Sequence, residues 1–235
     1  MARFPAPVAH GPLTTVVDGI ACVRGGFRMG PGITIGRTMT VVTTDDGLVV
    51  LNAVRLTDEV QAQLDALGKV KHLVKLSDAH SVDEPFYVDR YGPVLWSLPG
   101  ADMGKLSVDR TLGPDGPIAG AVVVDYGRTV SSREAAYRVP MGGGTLVTCD
   151  AIQNCVDKEG ASFGGGLMTS LMGFKGGVIV PPMWRRFQKV SGAAVAETLS
   201  GLTELSFENL VSGHGPPVVG GADALVHAAI VRAAA

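Results

Sequence analysis

The sequence has little of three things that would place it in a specialised class of protein. Its three cysteines, at positions 22, 149 and 155, are too few and too scattered for a disulfide framework or a zinc ribbon. It has no uninterrupted apolar run of about 18 residues, which argues against a transmembrane helix and a membrane partner. Its formal net charge of −2 argues against a nucleic-acid partner, which needs a basic face. With an N-terminal segment that lacks the apolar core of a signal peptide, these absences predict a cytoplasmic location.

What is present is typical of one globular unit. The chain has 235 residues, of which 46% are hydrophobic, and this is enough to bury a sizeable core. Its 32 glycines and 14 prolines are dispersed, which indicates many turns and no low-complexity segment. No repeat or linker divides the chain, so we expect a single domain over residues 1–235.

The first half of the sequence predicts strands followed by a β-α-β unit. The pair Asp46-Gly47 separates two Val- and Thr-rich runs and predicts the turn of a hairpin. A helix is expected from Thr57, which can cap it, to Gly68, which suits its end. The strand His72–Leu76 follows, and such units place their functional residues after the carboxyl ends of the strands.

The second half predicts short strands and two helices, with one segment that the sequence leaves open. Trp184–Leu199 has helical spacing, and Ala222–Ala235 is expected to be a closing helix. Phe207–Val211 reads as a strand that ends in Ser-Gly-His-Gly. The glycine-rich segment Gly160–Pro182 could be a mobile lid, a loosely packed helix or an oligomer contact.

Polar residues follow three of the predicted strands. Asp78, His80, Asp83 and Glu84 lie within seven residues after the first of these strands, and Asp150 follows a later one. His214 stands between glycines, which suggests close approach of the backbone. We expect these loops to meet at one rim of the molecule. Imidazole and carboxylate groups together suit a divalent metal.

In this order of elements and motifs the chain resembles the metallo-β-lactamase superfamily over roughly residues 14–230. The resemblance implies an α+β fold, an αββα sandwich of two mixed sheets flanked by helices. The first family motif reads His-x-His-x-Asp-His, and this chain has Asp78-Ala79-His80-Ser81-Val82-Asp83. Only His80 keeps the family residue, and Val82 replaces the aspartate that would bind the second metal. The resemblance therefore implies an eroded metal site.

The resemblance also implies which side chains would still bind a metal. Asp150 matches the bridging aspartate of the family and His214 its last ligand, whereas the middle histidine has no counterpart. The remaining set is His80, Asp83, Asp150 and His214, which suits one Zn, Fe or Mn ion, or none. His80 could instead cap the helix that follows or bond a backbone carbonyl, and Asp150 could cap the next helix, whereas His214 between its glycines is harder to explain by a structural role.

Three hypotheses about function follow. The first is a metal-dependent hydrolase of a small ester, thioester, lactone or phosphoester, in which Asp78 or Asp83 orients the attacking water. The second is a metal-free binding or assembly module on the same fold, and a homo-oligomer is left open. The third and weakest is thiol chemistry at Cys149 or Cys155. Cys149 precedes Asp150 on a strand and should point to the opposite face, into the core.

Overall fold

The computed structural model describes residues 4–78, 82–102, 104–127 and 131–235. Within them, the N-terminal half forms a mixed sheet of seven strands whose spatial order is their order in the sequence. The first four strands pair antiparallel and the last four pair parallel, with the fourth strand shared. The strands are β1 Thr14–Val17, β2 Ile20–Gly30, β3 Ile33–Thr44, β4 Gly47–Leu51, β5 Val70–Lys75, β6 Val94–Ser97 and β7 Arg110–Thr111.

The C-terminal half forms a second mixed sheet of five strands, in the order β14-β13-β10-β9-β8. Its one parallel pair is β10 with β13, and this pair carries the site described below. A separate two-stranded sheet joins β11 to β12. The strands are β8 Val122–Asp125, β9 Ala135–Val139, β10 Thr145–Val147, β11 Gln153–Asn154, β12 Val178–Ile179, β13 Asn209–Val211 and β14 Val218–Val219.

Helices cover the outer faces of both sheets. They are α1 Asp58–Leu67, α2 Glu84–Tyr91, α3 Phe163–Leu171, α4 Pro182–Gln188, α5 Gly192–Thr198, α6 Ser200–Thr203 and α7 Ala222–Ala234. Leu64 of α1 and Tyr87 of α2 pack on the first sheet, and Trp184 of α4 and Val226 of α7 pack near the second. A third cluster of buried residues lies between the sheets. This layering confirms the predicted αββα sandwich.

The helix and strand predictions hold in the first half, with one correction at the hairpin. Helix α1 begins after Thr57 and ends at Gly68, as expected. The turn between β3 and β4 is Asp45-Asp46, because Thr44 pairs with Gly47. The predicted turn was therefore displaced by one residue. Gly47 has its positive φ of 132° inside the strand, where a Cβ would meet the carbonyl oxygen of Lys69 at 2.7 Å.

The predicted helix Trp184–Leu199 is wrong as a single element. Helix α4 stops at Lys189, which has a left-handed φ of 58°, and Ser191 then caps α5 through its side chain. Trp184 and Val190 are buried, as the apolar stripe predicts, whereas Phe187 is 70% exposed. Periodicity alone does not reveal the break, because the apolar spacing continues across it.

The open segment 160–182 contains α3 and β12, so the helix among the three alternatives is present. Ser162 caps α3 by accepting a hydrogen bond from the Gly165 amide. Within the described residues, no helix has the length and hydropathy that crossing a bilayer requires.

Candidate functional site

The parallel pair β10–β13 brings two of the predicted site residues together. The amide of Thr148 donates to the Val211 carbonyl, and the amide of Gly213 donates to the Thr148 carbonyl, so the pairing continues beyond both strands. Carboxyl ends of parallel strands lie at the same edge of a sheet. Asp150 and His214 therefore meet there, as expected.

The Asp150–His214 contact joins a ring nitrogen to a carboxylate oxygen. The Nδ1 atom of His214 lies 2.6 Å from the carbonyl oxygen of Gly36, which can only accept, so we place the ring proton on Nδ1. The Nε2 atom lies 3.1 Å from Oδ1 of Asp150. Imidazole nitrogens and carboxylate oxygens are both common metal ligands, so these two atoms could bind one divalent ion.

The glycines beside His214 allow the close backbone approach that the sequence predicts. Gly215 has a φ of 92°, and a Cβ there would lie 1.7 Å from the carbonyl oxygen of Asn154. A Cβ on Gly213 would lie 3.1 Å from the carbonyl oxygen of Cys149. The loop bearing His214 therefore packs directly on the backbone around Asp150.

Glu134, which the sequence analysis missed, holds the Asp150 loop from behind. Its Oε1 atom accepts hydrogen bonds from the amides of Asp150 and Ala151 at 2.8 and 2.7 Å, and its Oε2 atom accepts from Nε1 of Trp184 at 2.6 Å. Burial, with the nearby charge of Asp150 second, raises the pKa of Glu134 to about 8, although the three N–H donors oppose the shift. The sequence around Glu134 contains no motif that would identify it as a residue of the site.

The carboxylates of the first loop have other partners. Asp78 accepts hydrogen bonds from the amides of Asp102 and Arg133 at 3.0 and 2.8 Å. Oδ2 of Asp83 lies 3.6 Å from Nη1 of the buried Arg37. Burial raises the pKa of Asp83, while the charges of Arg37 and Arg55 act in the opposite direction.

The strand and the helix on either side of the first loop form a buried ion pair. Nζ of Lys75 lies 3.3 Å from Oε1 of Glu84, and both side chains are almost fully buried. Val82 is 40% exposed. His80 lies outside the described residues, so its role as a metal ligand stays a prediction.

A cavity of about 450 Å³ opens at the Asp150–His214 pair. Its polar lining includes Ser77, Ser132, Gln153 and Asn154. Most of its wall is apolar and rich in methionine and aromatic rings, from Phe27, Met29, Ile35, Met168, Met172, Phe174, Met183, Trp184 and Phe187. Such a combination suits a small molecule that is largely apolar and has a polar group at one end.

The two cysteines near the cavity do not favour thiol chemistry. Cys149 is buried in the cluster between the sheets, and burial raises its pKa well above the ordinary value. Cys155 lines the cavity, and burial raises its pKa to about 11. A thiol with a raised pKa has little of the reactive thiolate at neutral pH.

Comparison with solved structures identifies the fold. A DIM-1 metallo-β-lactamase exposed to ceftazidime is 12% identical, with a TM-score of 0.63 over 97% of this chain and all of the other. FIM-1 from Pseudomonas aeruginosa, in its mono-zinc form, is 14% identical, with a TM-score of 0.59 over 97% of each chain. A metallo-β-lactamase from Pontibacter korlensis is 12% identical, with a TM-score of 0.61 over 93% of this chain and 97% of the other. This chain has the metallo-β-lactamase fold.

The similarity of this chain to those structures is limited to the fold. No family model matches the sequence, and no curated protein does. The predicted resemblance is thus confirmed for the fold, while the chemistry depends on the side chains that this chain places on it.

Two of the predicted metal ligands lie together in the described residues. No cluster of three or more His, Cys, Asp or Glu side chains suited to a metal occurs within the described ranges. The pair of Asp150 and His214 supplies one carboxylate and one imidazole whose other nitrogen is held by a backbone carbonyl, an orientation typical of metal-binding histidines. These two groups fit one ion if His80 completes the set.

Proposed function

We propose that this chain is a hydrolase that uses one divalent metal and acts on a small, largely apolar ester, thioester, lactone or phosphoester. The observation that carries the proposal is the Asp150–His214 pair, which brings a ring nitrogen and a carboxylate oxygen, both common metal ligands, within 3.1 Å of each other. The pair lies in the wall of a cavity large enough for such a substrate.

The proposal gives each residue of the site a role. Asp150, His214 and His80 would hold the ion, which supplies Lewis acidity and lowers the pKa of a water nucleophile. The apolar wall would bind the acyl or alkyl part of the substrate and exclude bulk water. Glu134 would keep Asp150 in place through the two backbone amides that it accepts from.

The carboxylates proposed as catalytic differ in their suitability. Asp83 lies against Arg37 on the side of α2, and Arg37 neutralises it there. Asp78 follows Ser77, which lines the cavity. Asp78 is therefore the better candidate to orient a water, although it also accepts two backbone hydrogen bonds.

A second candidate function is a metal-free module that binds a small ligand in the same cavity. The contacts of Asp78 and Asp83 favour it, because both carboxylates already have protein partners. In that case His214 and Asp150 would contact each other directly in the wall of the cavity. The cavity would select ligands by shape and apolar contact.

Elemental analysis of untagged protein, purified without chelator, separates the two functions. We expect stoichiometric Zn, Fe or Mn in the wild type and its loss in Asp150→Ala and in His214→Ala. His227→Ala, on the outer helix α7, is the matched control and should retain the metal. A metal-free wild type whose melting temperature ignores added Zn, Mn and Fe would leave only the binding module.

A further inference from the structure

Helix α3 has its polarity reversed relative to an ordinary surface helix. Its side towards the protein is glycine, since a Cβ on Gly165 would lie 1.9 Å from the carbonyl oxygen of Thr34. Its side towards solvent carries a stripe of large apolar residues at a spacing of four, namely Phe163, Leu167 and Leu171. Phe163 is 91% exposed and Leu171 80% exposed, which is a costly arrangement in water.

Two further exposed apolar residues lie on segments linked to α3. Ser162, which caps α3, donates to the carbonyl of Gly32 at the tip of the β2–β3 hairpin, where Met29 is exposed. Phe187 of α4 lines the same cavity as Met168 of α3 and is 70% exposed. We call these residues together the α3–α4 face: Met29, Phe163, Leu167, Leu171 and Phe187. A group of large exposed apolar side chains can mark an interaction site.

The segments that carry the α3–α4 face contain no acidic residues. Residues 160–196 contain no Asp or Glu, and neither do residues 19–44, which form the hairpin. The exposed charges in these segments are cationic, from Arg28, Lys175, Arg186 and Lys189. Asp157 and Glu159 also line the cavity, but both are bound to Arg24. Positive charge therefore predominates on the segments that carry the face.

This combination selects among the partners that could cover the face. A second copy in a two-fold symmetric dimer would place the same cations against one another, which opposes association. An anionic lipid surface complements both features, since apolar side chains enter the acyl boundary while Lys and Arg contact the headgroups. A spanning helix is not needed for such binding, so the lack of a long apolar run does not bear on it.

We propose that the α3–α4 face binds peripherally to anionic membrane surfaces, with the cavity mouth turned towards the lipid. The proposal is independent of any metal or of hydrolysis. It would also present the cavity to amphiphilic molecules that partition into the membrane.

Co-sedimentation of the full chain with lipid vesicles tests the proposal. We expect binding to phosphatidylcholine vesicles with about 30% phosphatidylserine, weak binding to pure phosphatidylcholine, and release at high salt. Leu167→Ser should weaken the binding, and Leu167→Ser/Leu171→Ser should weaken it further. Leu67→Ser is the matched control, because Leu67 is an equally exposed leucine on α1, at the end of the helix that leads into β5.

A charge series completes the test. Arg186→Gln/Lys189→Gln should reduce the partition constant about fivefold for each charge removed, whereas Lys69→Gln/Lys105→Gln, with the same net charge, should not. Circular dichroism and melting temperature confirm that each variant is folded. Absence of binding by the wild type, or equal loss in the control variants, would overturn the proposal. So would a stable dimer that the Leu167 and Leu171 variants dissociate.

Discussion

The two sides of the candidate site use their charges in opposite ways. On the β5–α2 rim, formed by Lys75, Asp78, Asp83 and Glu84, the carboxylates bind buried cations or backbone amides. On the β10–β13 rim, Asp150 and His214 face each other in the wall of the cavity. The charges of the first rim are matched by protein groups, whereas the second rim brings a carboxylate and an imidazole together at the cavity.

This difference separates charges that pack within the fold from charges that line the cavity. Buried carboxylates need a partner, and buried arginine and lysine can supply one. Arg37 and Lys75 are such partners beneath α2. If the comparison is correct, substitutions on the first rim should affect stability and those on the second should affect binding.

The largest effect is expected from Lys75→Met. The substitution removes the cation from a pair in which both side chains are almost fully buried and leaves Glu84 charged without its partner. Breaking such a pair costs about 3–5 kcal/mol of unfolding free energy. Urea denaturation measures the loss.

The control for this prediction is the double variant Lys75→Met/Glu84→Met, which removes both charges. We expect it to recover most of the lost stability, because a well-packed apolar pair can replace a buried ion pair. Lys69→Met, at an exposed site, should have little effect. A single variant as stable as the wild type would mean that the β5–α2 rim is not held by its charges.

An intermediate effect is expected on the pH dependence of stability, through Glu134 behind the second rim. Its pKa of about 8 in the folded protein exceeds the ordinary value of 4.5, so the folded state holds a proton that the unfolded state releases. Between these values, stability should fall as pH rises, by about 1.4 kcal/mol per pH unit at most, and the contribution should level off above the folded pKa. Denaturation midpoints from pH 5 to pH 9 would show this slope.

Glu134→Gln isolates the contribution. The variant should lose the slope while keeping a constant offset, because its amide cannot accept the hydrogen bond from Trp184 as the carboxylate does. If the unfolding free energies of the wild type and the variant depend on pH in the same way, the pKa of Glu134 does not change on folding.

The order of elements and motifs predicted the architecture through its resemblance to the metallo-β-lactamase superfamily, and the ends of the predicted strands indicated that Asp150 and His214 meet. The ends of the strands, the glycines around His214 and the order of the elements can all be read from the amino-acid sequence. The predictions that changed depend on contacts between distant segments. Neither the break at Lys189 nor the exposure of Phe187 can be read from apolar spacing, because periodicity does not say which face meets the protein.

The ion-pair and hydrogen-bond partners of the charged side chains also could not be predicted from the sequence. Arg37 and Asp83 are far apart in the sequence, and only the packing of α2 on the first sheet brings them to 3.6 Å. Glu134 likewise acts through amides at positions 150 and 151 and an indole at position 184. A count of potential ligands therefore overestimates how many are available to a metal.

The smallest effect on stability is expected from Asp150→Asn in protein freed of metal by chelation. Both side chains of the Asp150–His214 pair are partly exposed, and such pairs contribute about 0–1 kcal/mol, so the loss should not exceed that range. The charge of Asp150 is the second cause of the raised pKa of Glu134, so the variant should also move the Glu134 transition to lower pH. A loss as large as that of Lys75→Met would make the pair structural and remove the contrast between the rims. A small loss together with a shifted pH transition would show that Asp150 is charged in the folded protein and contributes little to its stability. Its charge at the cavity would then serve binding, as the difference between the two rims predicts.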